Sequence, residues 1–176
     1  MNLSERLSSV IREVPDFPKP GILFKDITPV LEDHALCSEI VEDFYTRFSQ
    51  EKIDAIVGVE SRGFLFGMMM ASRFKVPFVM VRKSGKLPWK TIVHEYNLEY
   101  GSAKVEMHTG SIREGWKVLI HDDLLATGGT AGAAAELVKK QGGEVLGFTF
   151  VIELSFLGGK QNLQRYSSKV YSTLVV

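Results

Sequence analysis

Leu3, Leu7, Val10 and Ile11 recur at helical spacing and stop before Pro15, and Leu36, Ile40, Phe44 and Phe48 form a second apolar stripe. Both predict amphipathic helices, and they flank the segment PDFPKPGILFKDITPV. Four prolines in those sixteen residues make the segment stiff and irregular, because each fixes its own φ and removes a backbone donor. It also carries Phe17, Ile22, Leu23 and Phe24, and a stiff apolar loop either caps a core or covers a ligand. From Ala55 the period changes: AIVGV is a short apolar run, FLFGMMMASRF is helical and PFVMV is a second apolar run, which together predict a βαβ unit. KVLIHD, then TAGAAAELVKKQ closed by Gly142 and Gly143, then EVLGFTFVIEL repeat that order.

Strands apolar on both faces belong to a parallel sheet covered by helices on each side. The expected fold class is therefore α/β, an open, mainly parallel twisted sheet. Between the two units, RKSGKLPWKTIVHEYNLEYGSAKVEMH is polar at first and then alternates through Ala103, Val105 and Met107. This pattern predicts a mobile loop over 83–101 that leads into an edge hairpin. Met68, Met69 and Met70 are expected to fill gaps in the core. No repeat or linker interrupts the chain, so 1–176 is expected to be one domain, with 1–33 as a small N-terminal cover.

Composition narrows the classes. Acidic and basic residues balance at 21 each, so no global field draws the chain to nucleic acid or to a membrane surface. The N-terminus lacks a signal peptide's apolar core and no run reaches the length of a membrane span, which gives a cytoplasmic expectation. Cys37, the single cysteine, reads as packing, and His34, His94, His108 and His121 show no metal-ligand spacing.

In open α/β sheets, ligands bind beyond the carboxyl ends of the strands. Three segments arrive there: ESRG at 60–63, RKSGK at 82–86 and DDLLATGGT at 122–130. Thr127, Gly128, Gly129 and Thr130 open a helix, where unpaired amides and the helix dipole favour an anion such as a phosphate monoester. Asp122 and Asp123 would repel a bare phosphate. They make sense if the same ligand presents hydroxyls or magnesium between them and its phosphate, as a phosphorylated sugar does. A P-loop would need a lysine directly after the glycines, where this chain has Thr130 and Ala131, and a dinucleotide fingerprint fails because G-x-G-x-x-G is absent and the acidic pair precedes the turn.

HDDLLATGGT resembles the phosphoribosyl-diphosphate motif of the type I phosphoribosyltransferases, and its LLATGGT form looks like the adenine-specific branch of that family. FPKPGILFKDITPVL, GVESRGFLFG, VRKSGKLP and YNLEYG resemble its other segments in the same order, across residues 17–157. The resemblance implies the family fold, with residues 1–33 as a hood over the base. It also implies transfer of phosphoribose to adenine with magnesium, in a homodimer whose loop near Arg82 reaches toward the partner site. By motif, Ala126, Thr127, Gly128, Gly129 and Thr130 would hold the 5-phosphate, and Asp122 and Asp123 the ribose hydroxyls or the magnesium shell. Ser61, Arg62 and Gly63 resemble the diphosphate loop, with Arg82, Lys83 and Lys86 adding cations. There the family often has a non-proline cis peptide, which is expected at Glu60–Ser61. Phe24 matches the residue that stacks on the purine, with Leu124 on its other face, and Leu23 and Lys25 would offer backbone groups to the adenine edge. Lys25 stands where the family more often has arginine. Glu99 falls in the catalytic loop and would take the proton that adenine loses. His121 departs from the family, which usually has an apolar residue there, and has no assigned task.

Two rivals stay open at the level of sequence. A sister enzyme for xanthine, hypoxanthine or guanine should reward a donor to the 6-oxo group. A purine-sensing regulator should carry a nucleic-acid surface.

Overall fold

The computed structural model describes residues 1–98 and 101–176. Helix α1 (Leu3–Val10) begins at a capping box, in which Asn2 accepts from the Glu5 amide and Glu5 accepts from the Asn2 amide. It ends at Val10, so Ile11 lies outside the predicted helix. The chain then extends into β1 (Arg12–Pro15), which pairs antiparallel with β2 (Leu23–Asp26). That pairing orders part of the segment expected to be irregular, and Pro15, at the strand end, tolerates its missing donor there. A single turn of helix, α2 (Thr28–Leu31), leads to α3 (His34–Phe48), capped by the Asp33 carboxylate on the Leu36 amide.

The βαβ unit follows as β3 (Ala55–Val59), α4 (Gly63–Phe74) and β4 (Phe78–Lys83). Next come β5 (Thr91–Asn97) and β6 (Ser102–His108), an antiparallel hairpin in seven-residue register. Thr91–Asn97 therefore form a strand where the polar start of the segment predicted a loop. Its Ile92 and Tyr96 pack against the core, so alternation begins eleven residues before Ala103. The second unit is β7 (Lys117–Leu125), α5 (Gly129–Lys140) and β8 (Glu144–Glu153), followed by the five-residue α6 (Gly159–Leu163) and β9 (Val170–Val175). The sheet order is β5-β6-β4-β3-β7-β8-β9, parallel from β4 to β9. Because β3 pairs with both β4 and β7, the connections diverge at β3, and the crevice at the carboxyl ends of β3 and β7 is the switch point where such sheets bind ligands.

The two faces of the sheet are covered separately. Alanines of α5 pack on Val57, Ile120 and Phe148, while α1, α3 and α4 pack on Ile56, Leu119 and Ile152. On α4 the buried positions are Gly63, Phe66, Gly67, Met70 and Ala71. That helical spacing turns Met68 and Met69 outward at 55% and 36% exposure, so only Met70 fills the core as expected. Cys37 is buried, its thiol donating to the Val30 carbonyl, and burial pushes the thiol pKa up. Among the described residues no helix is long and apolar enough to cross a membrane.

Candidate active site

Two strand-to-helix turns meet at the crevice. At the end of β7 the chain leaves the sheet at Leu125, and Ala126–Thr130 curl over the start of α5 around a small cavity of about 80 Å³ that Asp122 and Leu124 also line. Gly128 sits at φ 82°, and a Cβ there would come within 3.0 Å of the Gly159 carbonyl, so only glycine fits. On the outer side, the same loop borders a cavity of about 430 Å³ whose far wall is Tyr96, Asn97, Asn162 and Arg165. Two side chains hold the loop from opposite ends. The Tyr96 hydroxyl lies 3.0 Å from Thr130 Oγ1, and Asn162 Nδ2 donates to the Thr127 carbonyl at 2.8 Å.

The aspartates lie inside β7 instead of closing it, with Leu124 and Leu125 still in the strand. Asp123 is the one that hides in an ion pair: it is buried, and Arg62 Nε lies 3.0 Å from its Oδ2. Asp122 is half-buried, and its Oδ1 accepts the Asp123 amide at 2.9 Å. Burial first, then repulsion from Asp123, pushes the Asp122 pKa well above the usual carboxylate range. Burial also raises Asp123, against the pull of Arg62. The pair is thus set to gain from any ligand that brings hydroxyl donors or positive charge.

The other turn follows β3. The Glu60–Ser61 peptide is cis, as expected from the resemblance. Gly63 lets the first residue of α4 approach β7 closely, since a Cβ there would lie 2.9 Å from the His121 carbonyl and 3.0 Å from Asp122 Oδ1. Arg62 spans the crevice, with its guanidinium on Asp123 and 5.1 Å from the centre of the Phe24 ring. Of the other expected cations, Arg82 and Lys86 are paired through their side chains, whereas Lys83 contributes its backbone amide. Glu60 accepts from Arg82 at 3.2 and 3.3 Å, from Lys86 Nζ at 2.7 Å and from the Lys83 amide at 2.8 Å. Burial alone would raise its pKa, but those donors outweigh burial and hold it at about 2. A second buried carboxylate, Glu106, shapes the loop after β4 by accepting the Lys86 and Leu87 amides at 2.9 and 2.8 Å.

On the base side, Phe24 meets Phe17 edge-on with ring centres 5.1 Å apart, while Leu23 is half exposed. The side chain of Lys25 is engaged by Glu13, its partner across the β1–β2 hairpin. Leu124 is partly buried against the core. Glu99, with Tyr100, lies outside the described residues. His121 does not bond a carboxylate: it is fully buried, with Nδ1 3.0 Å from the Thr149 hydroxyl and Phe44 and Phe66 against its ring. Burial lowers its pKa to about 3, against a smaller opposing effect of Thr149, so it is neutral at ordinary pH.

Sequence reasoning assigned no role to Glu60, Tyr96, Asn162 or Arg165. The first two stand inside quoted motifs. The last two follow Gly158 and Gly159, a glycine pair past the end of the resemblance that was the one available signal.

Residues 30–172 match the phosphoribosyl transferase domain family. The adenine phosphoribosyltransferase of Sorangium cellulosum is 60% identical over 154 residues, which is 88% of this chain and 77% of that protein. The crystal structure of adenine phosphoribosyltransferase from Thermoanaerobacter pseudethanolicus has a TM-score of 0.95 at 47% identity, covering 99% of this chain and 100% of that one. That from Saccharomyces cerevisiae, complexed with D-2,5-dideoxy-2,5-imino-altritol 1,6-bisphosphate and adenine, has a TM-score of 0.90 at 40% identity and covers 98% of each chain. On these matches, and on a crevice built from the same ordered motifs, the chain belongs to the adenine phosphoribosyltransferases, a family of purine phosphoribosyltransferase enzymes.

Proposed function

We propose that this chain joins adenine to 5-phospho-α-D-ribose 1-diphosphate in the crevice between its two turns, giving AMP and diphosphate in cytoplasmic purine salvage. The observation that carries this reading is the run from Asp122 to Thr130, where two carboxylates lead directly into a glycine-containing loop around a cavity at the start of α5. Amides of Ala126–Thr130 take the 5-phosphate, assisted by the α5 dipole. Asp122 and Asp123 accept from the ribose hydroxyls, which stabilises their crowded charges. The Ser61–Gly63 turn, with Arg62, Arg82 and Lys86, takes the diphosphate. Phe24 and Leu124 sandwich adenine, Leu23 and Lys25 meet its edge through their backbone, and residues 1–33 act as the hood.

As the bond from the anomeric carbon to diphosphate breaks, positive charge builds on the sugar ring and negative charge on the leaving group. Cations and amides at the Ser61–Gly63 turn stabilise the latter. Adenine N9 attacks the anomeric carbon, and Glu99 takes the proton that the base loses. The residues present fit magnesium carried by the substrate. No group of three or more His, Cys, Asp or Glu among the described residues could hold a metal alone, yet Asp122 and Asp123 offer carboxylates to a hydrated cation. When bound, it neutralises diphosphate charge. The reading includes a homodimer, supported by Leu65, Met68 and Met69, which leave an apolar stripe of α4 open.

Turnover of adenine, hypoxanthine, guanine and xanthine with the same phosphoribosyl donor tests the assignment; only adenine should react well, and preference for a 6-oxopurine would overturn it. Glu99→Gln should lower kcat by roughly 10²- to 10⁴-fold while donor binding survives. Near-normal turnover would remove Glu99 from the mechanism.

A further inference from the structure

Tyr96 is the penultimate residue of β5, the edge strand, and its ring packs half-buried against the core below the start of α5. A Cβ on Gly129 would lie 3.6 Å from that ring, in ordinary contact, so the ring covers the first residue of the helix. Its hydroxyl meets Thr130 Oγ1 at 3.0 Å, with either atom free to donate. Asn162 holds the other end of the loop differently, because it donates to a backbone carbonyl that has no proton to redirect.

A threonine hydroxyl has one proton and two lone pairs. Without an anion, either the Tyr96 or the Thr130 hydroxyl can donate to the other. A phosphate in the loop accepts from Thr130, which forces Tyr96 to become the donor, and hydrogen bonds in such a chain strengthen one another. We propose, on the basis of the phosphate-loop reading above, that Tyr96 is a positioning residue that makes the end of the edge hairpin respond to the 5-phosphate. The hairpin is the right receiver: Asn97 and Leu98 line the same cavity, and Glu99 follows three residues after Tyr96 in the chain. Occupancy of the phosphate loop then fixes the strand that leads to the proton-transferring carboxylate. A substrate lacking its 5-phosphate loses that ordering as well as its own contacts.

Tyr96→Phe keeps the ring and removes the hydroxyl. In steady-state AMP synthesis it should raise the KM for the phosphoribosyl donor and lower kcat, for a combined loss of about tenfold in kcat/KM, equivalent to ~1.4 kcal/mol. The KM for adenine should stay within about twofold, a split that general loss of packing would not produce. In a Thr130→Val background, Tyr96→Phe should add nothing, whereas in Thr130→Ser, which keeps the hydroxyl, the full loss should return. Wild-type donor kinetics in Tyr96→Phe, or an equal loss in the Thr130→Val background, overturns this inference alone. A wild-type protein that forms no AMP overturns the parent reading with it.

Discussion

The turn after β3 and the turn after β7 lie side by side, and in the proposed reading both face anions, but they are built from opposite materials. Ala126–Thr130 contain no charged side chain; the loop offers amides and hydroxyls, clamped by Tyr96 and Asn162. The turn at Ser61–Gly63 is surrounded by cations, and three of them are already held by carboxylates: Arg62 by Asp123, and Arg82 and Lys86 by Glu60. Under the proposed assignment, the difference follows what each phosphate does. The 5-phosphate is present in substrate and product alike, so a neutral, preformed cradle serves throughout. Diphosphate must leave, and cations shared with internal carboxylates release it more readily than bare ones would.

Breaking the cradle should have the largest effect. Gly128→Ala forces a side chain into a left-handed backbone position and against the Gly159 carbonyl, 3.0 Å away. Strain of ~1–3 kcal/mol predicts a loss of about 10- to 100-fold in kcat/KM for the phosphoribosyl donor. Unchanged donor kinetics would show that the loop geometry is not what binds phosphate.

Glu60→Gln tests the other turn and should act more mildly. It frees Arg82 and Lys86, so product inhibition by diphosphate should tighten by about three- to tenfold, as expected for a partly screened charge pair. Weaker inhibition would mean that Glu60 organises the cations for the ligand instead of competing with it. The same carboxylate links the turn to acid stability. Its folded pKa of about 2 lies below the ordinary glutamate value of 4.5, so its contribution is full above pH 4.5 and is lost as pH falls toward 2.

The smallest effect on activity is expected beneath the turns. His121 is neutral and buried, with a folded pKa of about 3 against 6.5 when unfolded. Because the unfolded chain takes up the proton first, stability falls as pH drops below 6.5. Denaturant titrations of His121→Leu should therefore lose ~1.4 kcal/mol less per pH unit than wild type between pH 6 and 4. Parallel curves would mean that His121 already carries a proton in the folded protein.

How much of this was legible depended on range. Apolar runs and motif order are local, so the α/β class, both βαβ units and the Asp122–Thr130 segment could be read directly. Pairing between distant segments could not. Arg12–Pro15 look polar and irregular until β2 lies beside them, and Thr91–Asn97 become a strand only through β6. Met68 and Met69 fitted a core by composition, but helical phase turns them out. The cations at 82–86 were visible; that Glu60 holds them was not, because the contacts span 22 and 26 residues. His121 departs from the family pattern, but its partner, Thr149, lies on the neighbouring strand, out of reach of any local signal.

The contrast between the turns is tested most directly by titrating AMP and diphosphate separately into the wild-type protein at low and high salt. Side-chain cations are screened by salt far more than amides in a partly enclosed loop. From about 50 to 500 mM salt, diphosphate affinity should fall more than about tenfold and AMP affinity less than about threefold. Equal losses for the two ligands would contradict the division into a neutral cradle and a charged release site.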